Sequence, residues 1–117
     1  MEPLGSDTVI VFTNDGMGGT DYRELSHRLA KTYLTMILDN GYLPAAICFY
    51  TDGVRLACED SPVLEELRQL AARGVPLIIC KTCLDYLDLA NKRQVGIVGG
   101  MADIIEAQWR AGKVITL

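Results

Sequence analysis

The 117-residue sequence has one histidine, one tryptophan and two phenylalanines, and no repeat or low-complexity segment interrupts it. It also lacks any apolar run near the roughly 20 residues that span a bilayer. Residues 1–7 lack the basic and apolar pattern of a secretory leader, so the expectation is a cytoplasmic chain with no membrane partner. A basic excess is missing as well. Eleven basic residues against fifteen acidic ones give a formal charge of -4, which repels a phosphate backbone and argues against nucleic acid. The one adjacent basic pair, Lys92 and Arg93, reads as solvated loop. No second C-x-x-C and no paired histidines are present, whereas a closed zinc site takes four ligands. Neither a metal nor a cofactor is therefore expected. The glycine loop Asp15-Gly16-Met17-Gly18-Gly19 lacks the Lys-Ser/Thr ending of a P-loop and does not fit G-x-G-x-x-G.

What is present is half hydrophobic, enough for one domain over residues 1–117 to bury a core without cross-links. Four cysteines in such a chain read as reduced thiols rather than a disulfide framework. Cys48 and Cys58 stand alone, while Cys80 and Cys83 form a single C-x-x-C.

Continuous apolar runs at residues 8–12, 46–50, 75–80, 95–98 and 114–117 read as strands. Between them lie helical patterns. The first starts near Asp21, with Glu24 reaching back as a capping partner, and carries Tyr22, Leu25, Leu29, Tyr33, Met36 and Ile37 at helical spacing until Asn40-Gly41. Ser61-Pro62 opens another, with Val63, Leu67, Leu70 and Ala71 on one face. Met101, Ile104, Ile105 and Trp109 give the last helix a dry face.

Apolar strands alternating with amphipathic helices predict an α/β fold with a five-stranded, mainly parallel sheet covered on both sides. A flavodoxin-like, three-layer domain of strand order 2-1-3-4-5 is compatible with the pattern, the order being assumed. With that order, the loops leaving strands one and three border one crevice, and Asn14, Asp15, Gly16, Met17 and Gly18 face Cys80 and Cys83 across it. Those loop amides either hold a small anion beside the thiols or form an ordinary turn.

Cys80 ends a strand and Cys83 falls in the first turn of a helix, where free amides, the helix dipole and the neighbouring Lys81 favour a thiolate. A thiolate attacks disulfides or accepts sulfane sulfur. The plainer alternative is that Cys80 is a small core residue and Cys83 its incidental neighbour. Thioredoxin is a poor match, since its motif belongs to an early βαβ unit and this one follows the third strand. His27, alone in the first helix, is assigned no role, and Asp52 and Asp85 read as solvated or capping carboxylates.

Thr13-Asn14-Asp15-Gly16-Met17-Gly18, then Asp21 to Leu25, then Asp52-Gly53-Val54-Arg55-Leu56, then Cys80-Lys81-Thr82-Cys83-Leu84-Asp85 together resemble the DsrE/DsrF-like family. The likeness is nearest to the C-terminal domain of YedF-like proteins, which are described as sulfurtransferase-like and associated by name with selenium metabolism. The resemblance implies a single DsrE-like domain that forms homo-oligomers and carries a persulfide on the cysteine ending the third strand, here Cys80. Cys83 matches the second cysteine of the YedF-like C-x-T-C pattern. YedF-like proteins often carry a TusA-like domain ahead of this part, so a TusA-like protein is the implied sulfur donor or acceptor in trans. The resulting expectation is a sulfur-relay protein with Cys80 as persulfide carrier and Cys83 as second thiol. The alternative is a non-catalytic oligomeric module that senses a small ligand or redox state.

Overall fold

Short β-branched and aromatic runs form every strand, and each is separated from the next by a helical segment. The computed structural model describes residues 3–117, so Met1 and Glu2 of the expected domain lie outside the described residues. In chain order the elements are β1 (Thr8–Phe12), α1 (Arg23–Asn40), β2 (Ala46–Phe49), a 3-10 helix (Thr51–Ala57), α2 (Leu64–Ala72), β3 (Leu77–Cys80), α3 (Lys81–Tyr86), β4 (Ile97–Gly99), α4 (Met101–Arg110) and β5 (Lys113–Thr116). All neighbouring strands pair in parallel, which makes the expected three-layer α/β fold the observed one. No helix among the described residues is long and apolar enough to cross a membrane.

The strand order is β4-β3-β2-β1-β5, a correction to the assumed 2-1-3-4-5. Three successive crossovers each advance the chain one place in the same direction. Only after β4 does the chain reverse, when α4 carries it back across the sheet to β5 beside β1. Same-handed crossovers place α1, the 3-10 helix, α2 and α3 on one face and α4 on the other. Packing of α1 on α2, of the 3-10 helix on α2 and α3, and of α4 on β3 and β4 agrees with this.

Register fixes which residues share a face. Phe12 pairs with Phe49 and Phe49 with Ile79 on the side away from α4, where the two phenylalanine rings stack with centroids 5.6 Å apart. Val11, Cys48 and Ile78 line up on the α4 side, followed two residues on by Cys80 opposite Gly99. All of β1, β2 and β3 is buried.

Helix α1 buries Ala30, Leu34, Ile37 and Leu38, while Tyr22, Leu25, Leu29 and Met36 face outward, so the stripe read from the sequence is rotated and shares only Ile37 with the buried one. Its start has no side-chain cap: Asp21 does not cap it, and Glu24 pairs with Arg28 instead of reaching back. Gly41 ends the helix in the left-handed region at φ 70°. Val63, just ahead of α2, and Leu67 and Leu70 within it face the core as expected, whereas Ala71 of the same expected face is exposed, and the Ser61 hydroxyl accepts the Val63 N–H at 3.2 Å.

Burial in β2 pushes the Cys48 thiol up to about 11. The folded chain then keeps a proton that the unfolded chain releases above the ordinary thiol value of 9.0. This contribution is fully present below pH 9 and is lost as pH rises toward about 11. Urea unfolding is expected to show stability falling by on the order of 2 kcal/mol across that window, less steeply in Cys48→Ala.

Candidate functional site

The end of β3 delivers Cys80 into the α3 start, where its extended backbone occupies the N-cap position. Its side chain is 1% exposed. Cys83, one turn further, is half-buried and opens onto a groove of about 370 Å³ lined by Thr51, Asp52, Thr82, Tyr86 and Leu87. The Cys80 thiol is near enough to Cys83 to affect its protonation. The structure therefore brings the two cysteines together and ranks them: Cys83 faces the groove and Cys80 stands behind it. Of the two expected site cysteines, Cys83 is the one that lines the groove, while Cys80 is buried.

The charge balance at Cys83 also differs from expectation. Burial raises its thiol above the ordinary value and the neighbouring Cys80 adds to the rise, against which the Thr51 N–H pulls it down. Lys81 gives little help, since its ammonium lies 2.6 Å from the Asp85 carboxylate. Helix α3 spans only six residues, so its dipole is short. The balance at Cys83 is therefore upward, toward the thiol rather than the thiolate.

Thr51 is the site residue that sequence reasoning missed. It sits at φ 50°, a left-handed conformation that strains a β-branched residue by roughly 1–2 kcal/mol. That turn aims its N–H at Cys83 Sγ, 3.1 Å away. Its hydroxyl lies 2.5 Å from the Thr13 carbonyl oxygen and 2.7 Å from that of Tyr50, sharing one proton between them. Strain held in place by such contacts, beside a thiol, marks a positioning residue. The available signal was Thr51-Asp52-Gly53 directly after β2, a tight turn at the edge from which β3 also emerges. Gly53 seats this turn, because a Cβ there would overlap the Phe12 carbonyl.

The glycine loop does not wall this groove. Gly16 N–H donates to Asn14 O at 2.8 Å, Met17 N–H donates to Ser26 O, and the Ser26 hydroxyl donates back to Met17 O at 3.1 Å, so the loop folds onto the start of α1. Gly18 is exposed. The Asp15 carboxylate lies 3.3 Å from Arg23 and 3.4 Å from His27. It lines a second cavity, of about 310 Å³, together with Arg23, His27, Arg55, Cys58 and Lys92. The physical reason is the strand order: β2 separates β1 from β3, and the 3-10 helix that follows β2 fills the place where the two loops were expected to meet. Only Thr13, through its carbonyl, is tied to the cysteine groove.

The remaining thiols are structural. Cys48 is fully buried and Cys58 donates to Val54 O at 3.2 Å, with burial raising its thiol. Asp52 is held by Arg55 at 3.0 Å. Among the described residues no group of three or more histidine, cysteine or acidic side chains is placed to hold a metal ion.

The profile of the DsrE/DsrF-like family matches residues 7–117. Among solved structures, the ychN protein from E. coli is 19% identical with a TM-score of 0.68, covering 95% of this chain and 99% of that one. A protein of unknown function from Methanobacterium thermoautotrophicum is 18% identical with a TM-score of 0.67, covering 96% and 99%. A conserved protein of unknown function from Bacteroides thetaiotaomicron is 16% identical with a TM-score of 0.63, covering 95% of each. At these identities the likeness establishes the fold. No curated protein matches the chain.

Proposed function

The chain belongs to the DsrE/DsrF-like family, and from that membership, with the geometry at Cys83, we propose that it accepts sulfane sulfur as a cysteine persulfide and passes it on. One observation carries the reading: a groove-facing thiol holds a backbone N–H at 3.1 Å and has a second thiol directly behind it. Cys83 takes the sulfur first, exchanging the roles expected of the pair. Cys80 then attacks Cys83 Sγ, forming the Cys80–Cys83 disulfide and expelling the outer sulfur as hydrogen sulfide, or the persulfide is handed to an acceptor thiol unchanged. A dithiol reductant resets the disulfide. The C-x-T-C spacing supports a YedF-like relation, and a TusA-like protein is one donor consistent with it. Four free cysteines fit a reducing, cytoplasmic setting.

The reduced protein, exposed to a persulfide donor and weighed intact, is expected to gain one sulfur that the Cys80→Ala/Cys83→Ala double variant does not gain. Equal gain by both would sink the proposal. The raised Cys83 thiol, whose groove carries a single carboxylate, Asp52, already paired with Arg55, favours a second reading as a redox-sensing module. Reversible disulfide formation without any sulfur gain is the mark of that alternative.

Homo-oligomerisation belongs to the same proposal. Met101, Ile105 and Trp109 form an outward apolar stripe on α4, Trp109 being 85% exposed, while Ile104 and, in part, Ala107 of that helix pack inward. Exposed large apolar groups at one-turn spacing support a subunit contact. Sedimentation is expected to show an assembly that Ile105→Glu/Trp109→Glu reduces to monomer, whereas a monomeric parent chain would remove this part of the proposal.

A further inference from the structure

The molecule separates its charges from its accessible thiol. Arg23, Arg55, Lys92 and His27 gather around the Asp15 cavity, and no cation lines the groove at Cys83. The one charged group in that groove is the Asp52 carboxylate, already held by Arg55. Beside it, Lys81 is bound to Asp85. The Thr51 N–H is occupied by Cys83 Sγ, so that donor is not free for an arriving anion. The walls are otherwise Leu87, Tyr86 and two threonines, with Tyr86 standing 89% exposed at the lip.

From these features we infer that the groove takes sulfur from a donor with an apolar, uncharged carrier group, an aryl or alkyl hydropersulfide, and turns away small anionic donors. The inference rests on the sulfur-accepting reading. A charged carrier entering the groove loses water, gains no cationic partner and meets the Asp52 carboxylate, each of which costs free energy. An apolar carrier loses only unfavourable hydration against Leu87 and Tyr86. Negative charge also develops on Cys83 Sγ as its proton leaves. The Thr51 N–H stabilises that one charge, and a second charge on the carrier would add repulsion beside it.

The step balances without an added oxidant or reductant. Cys83 Sγ bonds to the terminal sulfur of R–S–SH, the donor S–S bond breaks, and its electron pair leaves on the carrier sulfur, which takes up the thiol proton. The products are the Cys83 persulfide and R–SH. A groove of about 370 Å³ has room for a single aromatic ring with its sulfur atoms.

The reduced full chain is offered benzyl hydropersulfide, glutathione hydropersulfide or thiosulfate at equal concentration, and the gain of one sulfur at Cys83 is followed by mass spectrometry. N-acetylcysteine serves as the unselective reference thiol. Relative to that reference, the protein is expected to favour the benzyl donor over either anionic donor by about tenfold or more. Tyr86→Lys, at an exposed position, is expected to narrow the gap by raising the anionic rates. Equal selectivity in protein and reference thiol, or an anionic preference, overturns the inference while leaving the sulfur-accepting reading in place. Absence of transfer from all three donors removes both.

Discussion

Cys83→Ala is expected to stop sulfur loading, whereas Cys80→Ala is expected to load at near the parent rate and then fail to release sulfide. The asymmetry follows from position. Cys83 lines the groove, whereas Cys80 is 1% exposed and does not. Removing the nucleophile is expected to lower the loading rate on the order of a hundredfold or more, with only slow addition at other thiols left. Removing Cys80 leaves the groove, the Thr51 N–H and the Cys83 sulfur in place. What it removes is the second sulfur, so persulfide accumulates on Cys83 and no intramolecular disulfide forms. Stability distinguishes the two as well: Cys80→Ala deletes a buried sulfur and is expected to cost about 1 kcal/mol, while Cys83→Ala at a half-buried position costs less. Loading measured by intact mass, with sulfide release followed in parallel, separates these outcomes.

Gly53→Ala is expected to damage both the fold and the thiol. An added Cβ would overlap the Phe12 carbonyl, which cannot retreat because it accepts the Tyr50 N–H at 3.1 Å and belongs to a strand buried on both faces. The 3-10 helix must then lift off the end of β1. Overpacking of this kind against backbone costs about 3 kcal/mol, which for a chain of this size corresponds to a Tm lower by roughly 10 °C. Lifting the turn also moves Thr51, whose N–H reaches Cys83 and whose hydroxyl reaches Thr13. Without that N–H the Cys83 thiol is expected to rise further, so its alkylation shifts to higher pH. Gly100→Ala is the control, with open space around its Cβ and φ -87°, and is expected to change stability by less than about 1 kcal/mol. Thermal unfolding and the pH profile of alkylation check the pair.

The strands were legible because burial writes itself into composition. Val9, Ile47 and Ile79 sit in apolar runs that only a covered sheet accommodates, and Cys80 falls at the end of one of them. Their neighbours were not legible, since a strand buried on both faces carries no mark of which strand lies beside it. That single gap displaced the glycine loop: with β2 between β1 and β3, Asp15 joins Arg23 and His27 rather than Cys83. The α1 stripe failed for a related reason. Leu25, Leu29 and Met36 are as apolar as Leu34 and Leu38, and helical spacing alone does not choose between two apolar faces. Cys80 and Cys83 were found by spacing, but their difference in exposure, one buried at the end of β3 and one half-buried in α3, shows only in the structure. Thr51 escaped because a left-handed threonine has no compositional signature. It becomes visible only when its N–H is seen to point at sulfur.

The most direct measurement is the location of the first sulfur. Reduced protein is mixed briefly with a hydropersulfide, the thiols and persulfides are trapped by alkylation, and the peptide spanning residues 82–92 is separated from the one ending at Lys81 by cleavage after lysine and arginine. The expected result is that the earliest sulfur gain sits on Cys83, with Cys80 modified only later as its disulfide partner. Sulfur appearing first on Cys80, or on neither cysteine while the protein remains folded, would contradict the account.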